Sequence, residues 1–187
     1  MFVGGEVRKS IWITALITAF LLSIAGSASA QEKGRKGLVI AYPTSVGFIW
    51  NITSRVAIRP DFSFTKATSP TQSAIAPNLD TYTFETGFSA LFFLKKWENV
   101  SAYVTPRFSY SRSKTTNNNL TSNGYTVNWG YPSSASFGVQ YGLNERFSVF
   151  GEAGAEYNRF HAGSPFAVFP MTNNWKSKSG VGINFYF

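Results

Sequence analysis

The 187-residue chain has no cysteine, one histidine and few charges: charged residues make up 14% of it, aromatic residues 17%. Without cysteine there is no disulfide framework and no thiolate metal site. With His161 alone there is no multi-histidine centre. A charged fraction well below the ~25% of ordinary soluble domains excludes a normally hydrated surface, and the aromatic load excludes a disordered chain. Acidic groups are scarce as well, 9 Asp+Glu against 17 Lys+Arg, for a formal charge of +8. That balance suits nucleic acid or a membrane surface, and the 18 phenylalanines point away from nucleic acid. Glycine-rich phosphate loops, carboxylate metal clusters and paired catalytic acids are absent as motifs. No cofactor or metal is expected.

The first thirty residues have the pattern of a helical signal peptide. Arg8 and Lys9 form a basic start, Ile11 to Ala25 is an uncharged apolar run, and Ala28-Ser29-Ala30 offers small residues at the two positions a signal peptidase reads. The expected division is therefore a cleaved segment, 1–30, and a mature domain, 31–187, with cleavage after Ala30. An uncleaved anchor helix is the alternative, and the run is short for a ~20-residue span. No later run approaches that length.

The mature chain instead alternates with period two. Val56, Ile58, Pro60, Phe62 and Phe64 share one face, with Ala57, Arg59, Asp61, Ser63 and Thr65 on the other. Similar stretches run from Tyr82 to Phe92, Val100 to Ser111, Val127 to Gln140, and Gly180 to Phe187. Strands of soluble sandwiches are usually ~5–6 residues long, whereas these are long enough to cross a bilayer as tilted strands of ~9–11 residues. The regular face is aromatic and aliphatic; the other is Gly, Ser, Thr and Asn with a few charges. A closed barrel is the β-architecture that satisfies its whole backbone in lipid. A secreted soluble β-barrel or sandwich remains the alternative. Pro60 and Pro106 fall mid-strand, where local bulges are expected.

A weak repeat marks the turns. Asn51 to Arg55, Lys96 to Val100 and Gly142 to Arg146 each precede a strand. Longer polar segments, Ser69–Asp80, Ser113–Gly124 and Phe160–Asn174, alternate with them as expected loops. Seven strands are plain at 44–51, 55–68, 80–94, 100–114, 124–141, 146–160 and 175–187. Antiparallel closure requires an eighth before them, for which Gly37 to Tyr42 is the candidate, turning near Pro43-Thr44. The predicted fold is all-β, an antiparallel up-and-down transmembrane β-barrel of eight strands.

These features together, with the ending Val181, Ile183, Phe185 and Phe187 at every second position, resemble the small OmpA/OmpX-like barrels of diderm bacteria, the porin-family "outer membrane protein β-barrel domain" proteins. The segments NITSRVAIRPDFSF and GVGINFYF carry the likeness, which covers essentially all of 31–187. The resemblance implies residence in the outer membrane, contact with its lipid and lipopolysaccharide, and passage by periplasmic chaperones. It also implies that the terminal Phe187 motif is read by the outer-membrane assembly machinery. A monomer is expected, with neither nucleic-acid binding nor cell-wall attachment.

Two candidate sites follow from strand parity. Arg59, Asp61, Glu85, Arg107, Glu152 and Glu156 fall on the inward register, with Gln140, Tyr103 and Asn158. Asp61, Arg107 and Glu152 hold nearly equivalent repeat positions and so should share a depth. An eight-stranded barrel is wide enough only to be filled by side chains, so these charges would pair, either as a plug or as a gate whose arginines change partners to open a narrow ion path. Lys66, Arg112, Lys114 and Arg159 fall on the outward register near the loop ends. There they would meet lipopolysaccharide phosphates or snorkel as solvated rim charges. Trp50, Trp97, Trp129, Tyr131 and Trp175 suit aromatic girdles at the two interfaces. Eight-stranded barrels also include lipid A deacylases and palmitoyltransferases that use His, Ser and a carboxylate; here the one imidazole, His161, is expected at the start of a loop, so no enzymatic activity is expected. The functional expectation is a structural or surface-interaction role in adhesion or envelope integrity, with a low-conductance channel as the alternative.

Overall fold

A computed structural model describes residues 33–43, 45–69, 79–117, 125–164, 167–168 and 171–187. The expected signal peptide and its cleavage after Ala30 lie outside the described residues. The strands are β1 (Lys36–Tyr42), β2 (Ser45–Asn51), β3 (Val56–Ser69), β4 (Leu79–Trp97), β5 (Val100–Asn117), β6 (Tyr125–Gly142), β7 (Phe147–Ser164), a two-residue β8 (Ala167–Val168) and β9 (Thr172–Tyr186). Each strand from β2 to β7 pairs antiparallel with its predecessor, β7 pairs with β9, and β9 pairs with β1. β8 only adds to the end of β7, through Gly163↔Val168 and Ser164↔Ala167. The eight strands β1–β7 and β9 therefore close into an antiparallel up-and-down barrel with no continuous free edge.

The ladder also sets the tilt. Ile40 pairs with Val46, Val46 with Phe62, Phe62 with Thr86, and Thr86 with Tyr110. That row continues in unbroken register to Tyr131, which pairs with Arg159, which pairs with Asn173 on β9. Yet the direct β9 neighbour of Ile40 is Ile183, ten residues further along β9 than Asn173. One circuit thus climbs ten residues, and strands closed with such a stagger tilt by ~35–45° to the barrel axis.

Parity sorts the faces as period two requires. Ile40, Phe48, Phe64, Phe88, Phe108, Phe137 and Val181 point outward and are exposed, while Ala57, Ser89, Tyr103, Ser109 and Asn184 point inward and are buried. An apolar outside around a partly polar inside is the reverse of a soluble barrel, and it is the arrangement lipid demands.

The bulges expected at Pro60 and Pro106 are not there. Pro60 pairs with Phe88 in an unshifted β3–β4 ladder, and Pro106 with Ala135 in an unshifted β5–β6 ladder. On the opposite side of each proline two partner pairs are skipped, between Gly47↔Asp61 and Trp50↔Ile58 and between Ser89↔Arg107 and Phe92↔Val104. Pro132 repeats the pattern, with a skip between Phe108↔Ser133 and Ser111↔Gly130. The missing N–H weakens one side of the ladder locally, and the intact side holds the register. The register shift falls instead between Phe93 and Lys95, beside the turn where Glu98 takes a positive φ of 40°.

The loops are also shorter than their polarity suggested. β5 runs on to Asn117, β7 to Ser164, and β9 begins at Thr172. Polar residues continue the ladder there because strand hydrogen bonds persist above the bilayer, where hydropathy no longer marks strand from loop.

The short turns share a local device. Thr53 Oγ1 accepts hydrogen bonds from the Arg55 and Val56 N–H groups at 3.1 and 3.0 Å. Asn144 Oδ1 accepts from the Arg146 and Phe147 N–H groups at 2.8 and 2.9 Å. These side-chain caps add to the backbone bonds that close the same turns, Thr53 N–H to Val56 O and Leu143 N–H to Phe147 O, the role Asn and Thr commonly take there.

Candidate functional site

The interior divides along its length. Toward the short-turn end the inward side chains turn apolar: Val39, Ile49, Ala57, Leu91, Phe93, Tyr103, Phe150 and Tyr186 form one buried cluster. Phe93 and Tyr103 meet in a tilted ring contact with centroids 5.5 Å apart. Beside the cluster, Gln140 Nε2 donates to the Tyr186 hydroxyl at 3.2 Å, and the Asn184 amide donates to Gln140 at 3.3 Å and to Ser148 at 3.1 Å. This end is filled by side chains, as expected for a barrel of eight strands. The apolar part of the filling was missed from sequence, because Leu91-Phe92-Phe93-Leu94 breaks the alternation by being greasy on both parities.

Above the cluster lie the charges. Arg59 meets Glu152 at 2.7 Å, with side chains only 8% and 10% exposed, and the Tyr103 hydroxyl donates to the same carboxylate at 2.9 Å. Arg59 also lies over the Phe150 ring, 5.2 Å from its centroid. Arg107 joins Asp61 and Glu85, each at 2.6 Å. Its Nε and Nη2 both reach Asp61, at 3.2 and 2.6 Å, in the forked geometry that a guanidinium matches best. Glu156 stands apart from both arginines and takes Lys176 at 2.9 Å and Lys178 at 3.8 Å. Lys178 Nζ also donates to Ser134 Oγ at 3.0 Å.

The two lysines were not among the sequence candidates. They sit in Lys176-Ser177-Lys178-Ser179, and counting parity back from Phe187 puts both on the inward register, so the signal was present. Their presence changes the balance. Two arginines against four carboxylates would leave the lumen negative; with Lys176 and Lys178, four cations face four anions.

These groups border a cavity of about 360 Å³ that reaches from Val39 and Phe150 at its floor past Arg107 and Glu156 toward the loop end. The lumen is therefore a cup, blocked at the short-turn end.

The outward basic residues gather at the other interface. Lys66 and Lys114 flank Tyr82 on neighbouring strands, each one a direct pairing partner of it, and Arg112 pairs with Trp129. Lys66 lies 5.3 Å from the Tyr82 ring centroid and 3.8 Å from Asp80; Lys114 lies 5.0 Å from the Tyr125 ring centroid. Arg159, one strand beyond, pairs with Tyr131 and Asn173 and places Nε 3.0 Å from Met171 Sδ. Trp175 meets Tyr157 in a tilted ring contact at 5.1 Å in the same region.

His161 is not at the start of a loop. It lies within β7, paired with Trp129, on the outward parity, with ring centroids 4.7 Å apart. No serine–carboxylate pair accompanies it on that face among the described residues, and a lipid A-type triad is not assembled around it. At the far end Val181 and Ile183 are exposed along the outer face of β9 and Phe187 is exposed just after it, while Phe185 meets Phe147 in a tilted ring contact at 4.9 Å.

No protein-family model matches this chain, and no curated protein matches it. Among solved structures it is similar to Acinetobacter baumannii CarO, at 11% identity over 83% of this chain and 98% of that one, with a TM-score of 0.44. It is similar to Ail, the attachment invasion locus protein of Yersinia pestis, at 8% identity over 83% and 100% of the two chains, with a TM-score of 0.45. Acinetobacter baumannii CarO2 gives 12% identity, 82% and 97% coverage and a TM-score of 0.42. At such identities the likeness is one of outline, and the barrel assignment rests on this chain's own closed ladder.

Proposed function

We propose that this chain is an exported, monomeric, integral outer-membrane barrel of a diderm bacterium with a structural or surface-interaction role and no catalysis. One observation carries the reading: a closed eight-stranded ladder with its aromatic and aliphatic face outward and its charges paired inside. Lys66, Arg112, Lys114 and Arg159 stand with Tyr82, Trp129 and Tyr131 at the loop-end interface, where their counterpart would be the phosphates of lipopolysaccharide. Val181, Ile183, Phe185 and Phe187 would serve the assembly machinery as the terminal recognition strand. Adhesion and envelope integrity are the roles such a surface would support.

Cell fractionation with heat-modifiable gel mobility tests the location. The band is expected in the outer-membrane fraction, migrating faster unheated than boiled; a soluble periplasmic or secreted band of unchanged mobility would overturn it. A deletion strain tested for dye permeability and surface attachment would then separate the two roles.

The low-conductance channel is the second reading, favoured by the cavity between Arg59 and Lys178. Ions would have to pass Leu91, Phe93 and Tyr103, all buried. Planar-bilayer recording is expected to show no unitary events. Events that change with Arg107→Ala would make the arginine pairs a gate rather than a plug.

A further inference from the structure

The wall of the barrel is not equally tall all round. β1 and β2 have 7 residues each, against 14 to 19 for β3 to β7 and 15 for β9. Seven residues fall short of the ~9–11 that a tilted strand needs to cross a bilayer. The β2–β3 ladder stops at Val46↔Phe62 and the β1–β9 ladder stops at Tyr42↔Val181. Beyond those pairs, β3 from Ser63 to Ser69 and β9 from Gly180 back to Thr172 have no strand on their facing edges among the described residues.

The unpaired stretch begins within the apolar belt. Phe64 and Trp175 are exposed on its two flanks, and Tyr42 is exposed at its lower edge. Backbone groups at that depth are tolerated only where they line a water-filled cavity or meet a partner. The cavity supplies the first condition. It is lined by the inward Arg107, Glu156 and Lys178 and also by Tyr42, Ser177 and Ser179, which belong to the outward parity. Residues of both parities therefore border the cavity along the stretch of β9 that faces the gap, which places cavity and gap side by side. Lys176, inward by parity, keeps its side chain 54% exposed, and the two lysines share the single carboxylate of Glu156.

We propose that the gap above the β1–β2 hairpin is a lateral opening that admits the anionic headgroup of a membrane lipid from the facing leaflet to Lys176 and Lys178. The site rests on the membrane-barrel reading above. The opening lies beside the bilayer, so what approaches it is lipid; the groups nearest its β9 edge are cationic, so the headgroup it retains is anionic. Lys176 and Lys178 would hold phosphate oxygens by charge-assisted hydrogen bonds, with the acyl chains outside against Tyr42 and Phe64.

The absence of cysteine makes the test direct. Ser179→Cys carries a bimane label at the opening, and Ala135→Cys carries it on the outward face of β6, away from the gap. Each barrel is reconstituted in phosphatidylcholine vesicles containing brominated phosphatidylglycerol or brominated phosphatidylcholine, and heat-modifiable mobility verifies insertion before quenching is read. At position 179 the anionic quencher is expected to bind roughly fivefold more strongly than the zwitterionic one, the scale of one basic group acting on an anionic lipid. At 135 no preference is expected. Lys176→Gln with Lys178→Gln should abolish the preference while leaving insertion intact. Equal quenching by both lipids at 179, or a preference that survives the double substitution, would overturn the proposal. So would efficient disulfide cross-linking between two unlabelled copies of the Ser179→Cys variant, which would show a second chain filling the gap. Failure to insert at all would count against the membrane-barrel reading instead.

Discussion

Arg107 is the side chain that holds two of the lumen's four carboxylates. It is the shared partner of Asp61 and Glu85, and its guanidinium occupies the space beside Gly87, where an added Cβ would meet Nη2 at 2.5 Å. Arg107→Ala would leave two carboxylates facing one another in a confined space. Breaking a fully buried pair costs ~3–5 kcal/mol, and water in the cavity should reduce that to about 2–3 kcal/mol here. Urea titration of the refolded barrel, followed by tryptophan fluorescence, should show the lower midpoint; adding Asp61→Asn and Glu85→Gln should recover most of the loss. Gly138 is a second constrained position, because a Cβ there would run into the Tyr103 ring. Gly138→Ala should destabilise by ~1–3 kcal/mol, the usual range for overpacking, and the same titration measures it. That the six candidate lumen residues share the inward register was legible, since parity alone assigns a face. Which carboxylate each arginine takes was not, because Asp61, Glu85 and Glu152 come from three strands whose relative stagger sequence does not encode residue by residue.

At the scale of elements, the prolines argue that register is held by a strand's better side. Pro60, Pro106 and Pro132 each coincide with a two-pair gap on one side and keep their own partner, in unshifted register, on the other. Pro106→Val should restore a donor to the β4–β5 ladder and raise stability by about 0.5–1.5 kcal/mol, the net worth of one hydrogen bond. A urea midpoint that falls instead would mean the proline is needed for the local twist. The rim is a property of neighbouring strands as well: Lys66, Tyr82 and Lys114 form a row across β3, β4 and β5, and Arg112 stands beside Trp129. Arg112→Glu with Lys114→Glu should lower lipopolysaccharide co-purification several-fold, an effect that weakens as salt rises because exposed charges are screened. Unchanged co-purification would reduce the rim to ordinary snorkelling charge. Strand ends were the least legible elements. The alternation that reveals a strand in lipid loses its contrast above the bilayer, so Ser113 to Asn117 and Phe160 to Ser164 read as loop while the ladder continued through them.

Among the described residues the barrel is a cup in a tilted wall, plugged at the short-turn end and cut low on one side. Opening the plug should need the removal of bulk rather than charge. Tyr103→Ala combined with Phe93→Ala is expected to produce conductance in planar bilayers where the parent chain shows none, and a silent double variant would mean that the Gln140–Asn184 network seals the barrel by itself. Sequence alone determined the class of the fold and the solvent it faces. Period-two alternation with the greasy face regular and the other face polar is a local property, and strand parity carries it without knowledge of neighbours. The eighth strand was legible for a related reason, since antiparallel closure permits only an even count. Tertiary structure alone decided the ten-residue stagger, and everything that stagger brings together. It set Arg59 against Glu152, brought Lys176 and Lys178 to Glu156, and left one edge each of β3 and β9 without a strand, among the described residues, above a hairpin too short to reach them. Those outcomes depend on how far each strand slides past the next around a closed ring, and closure imposes that sum on all eight strands at once.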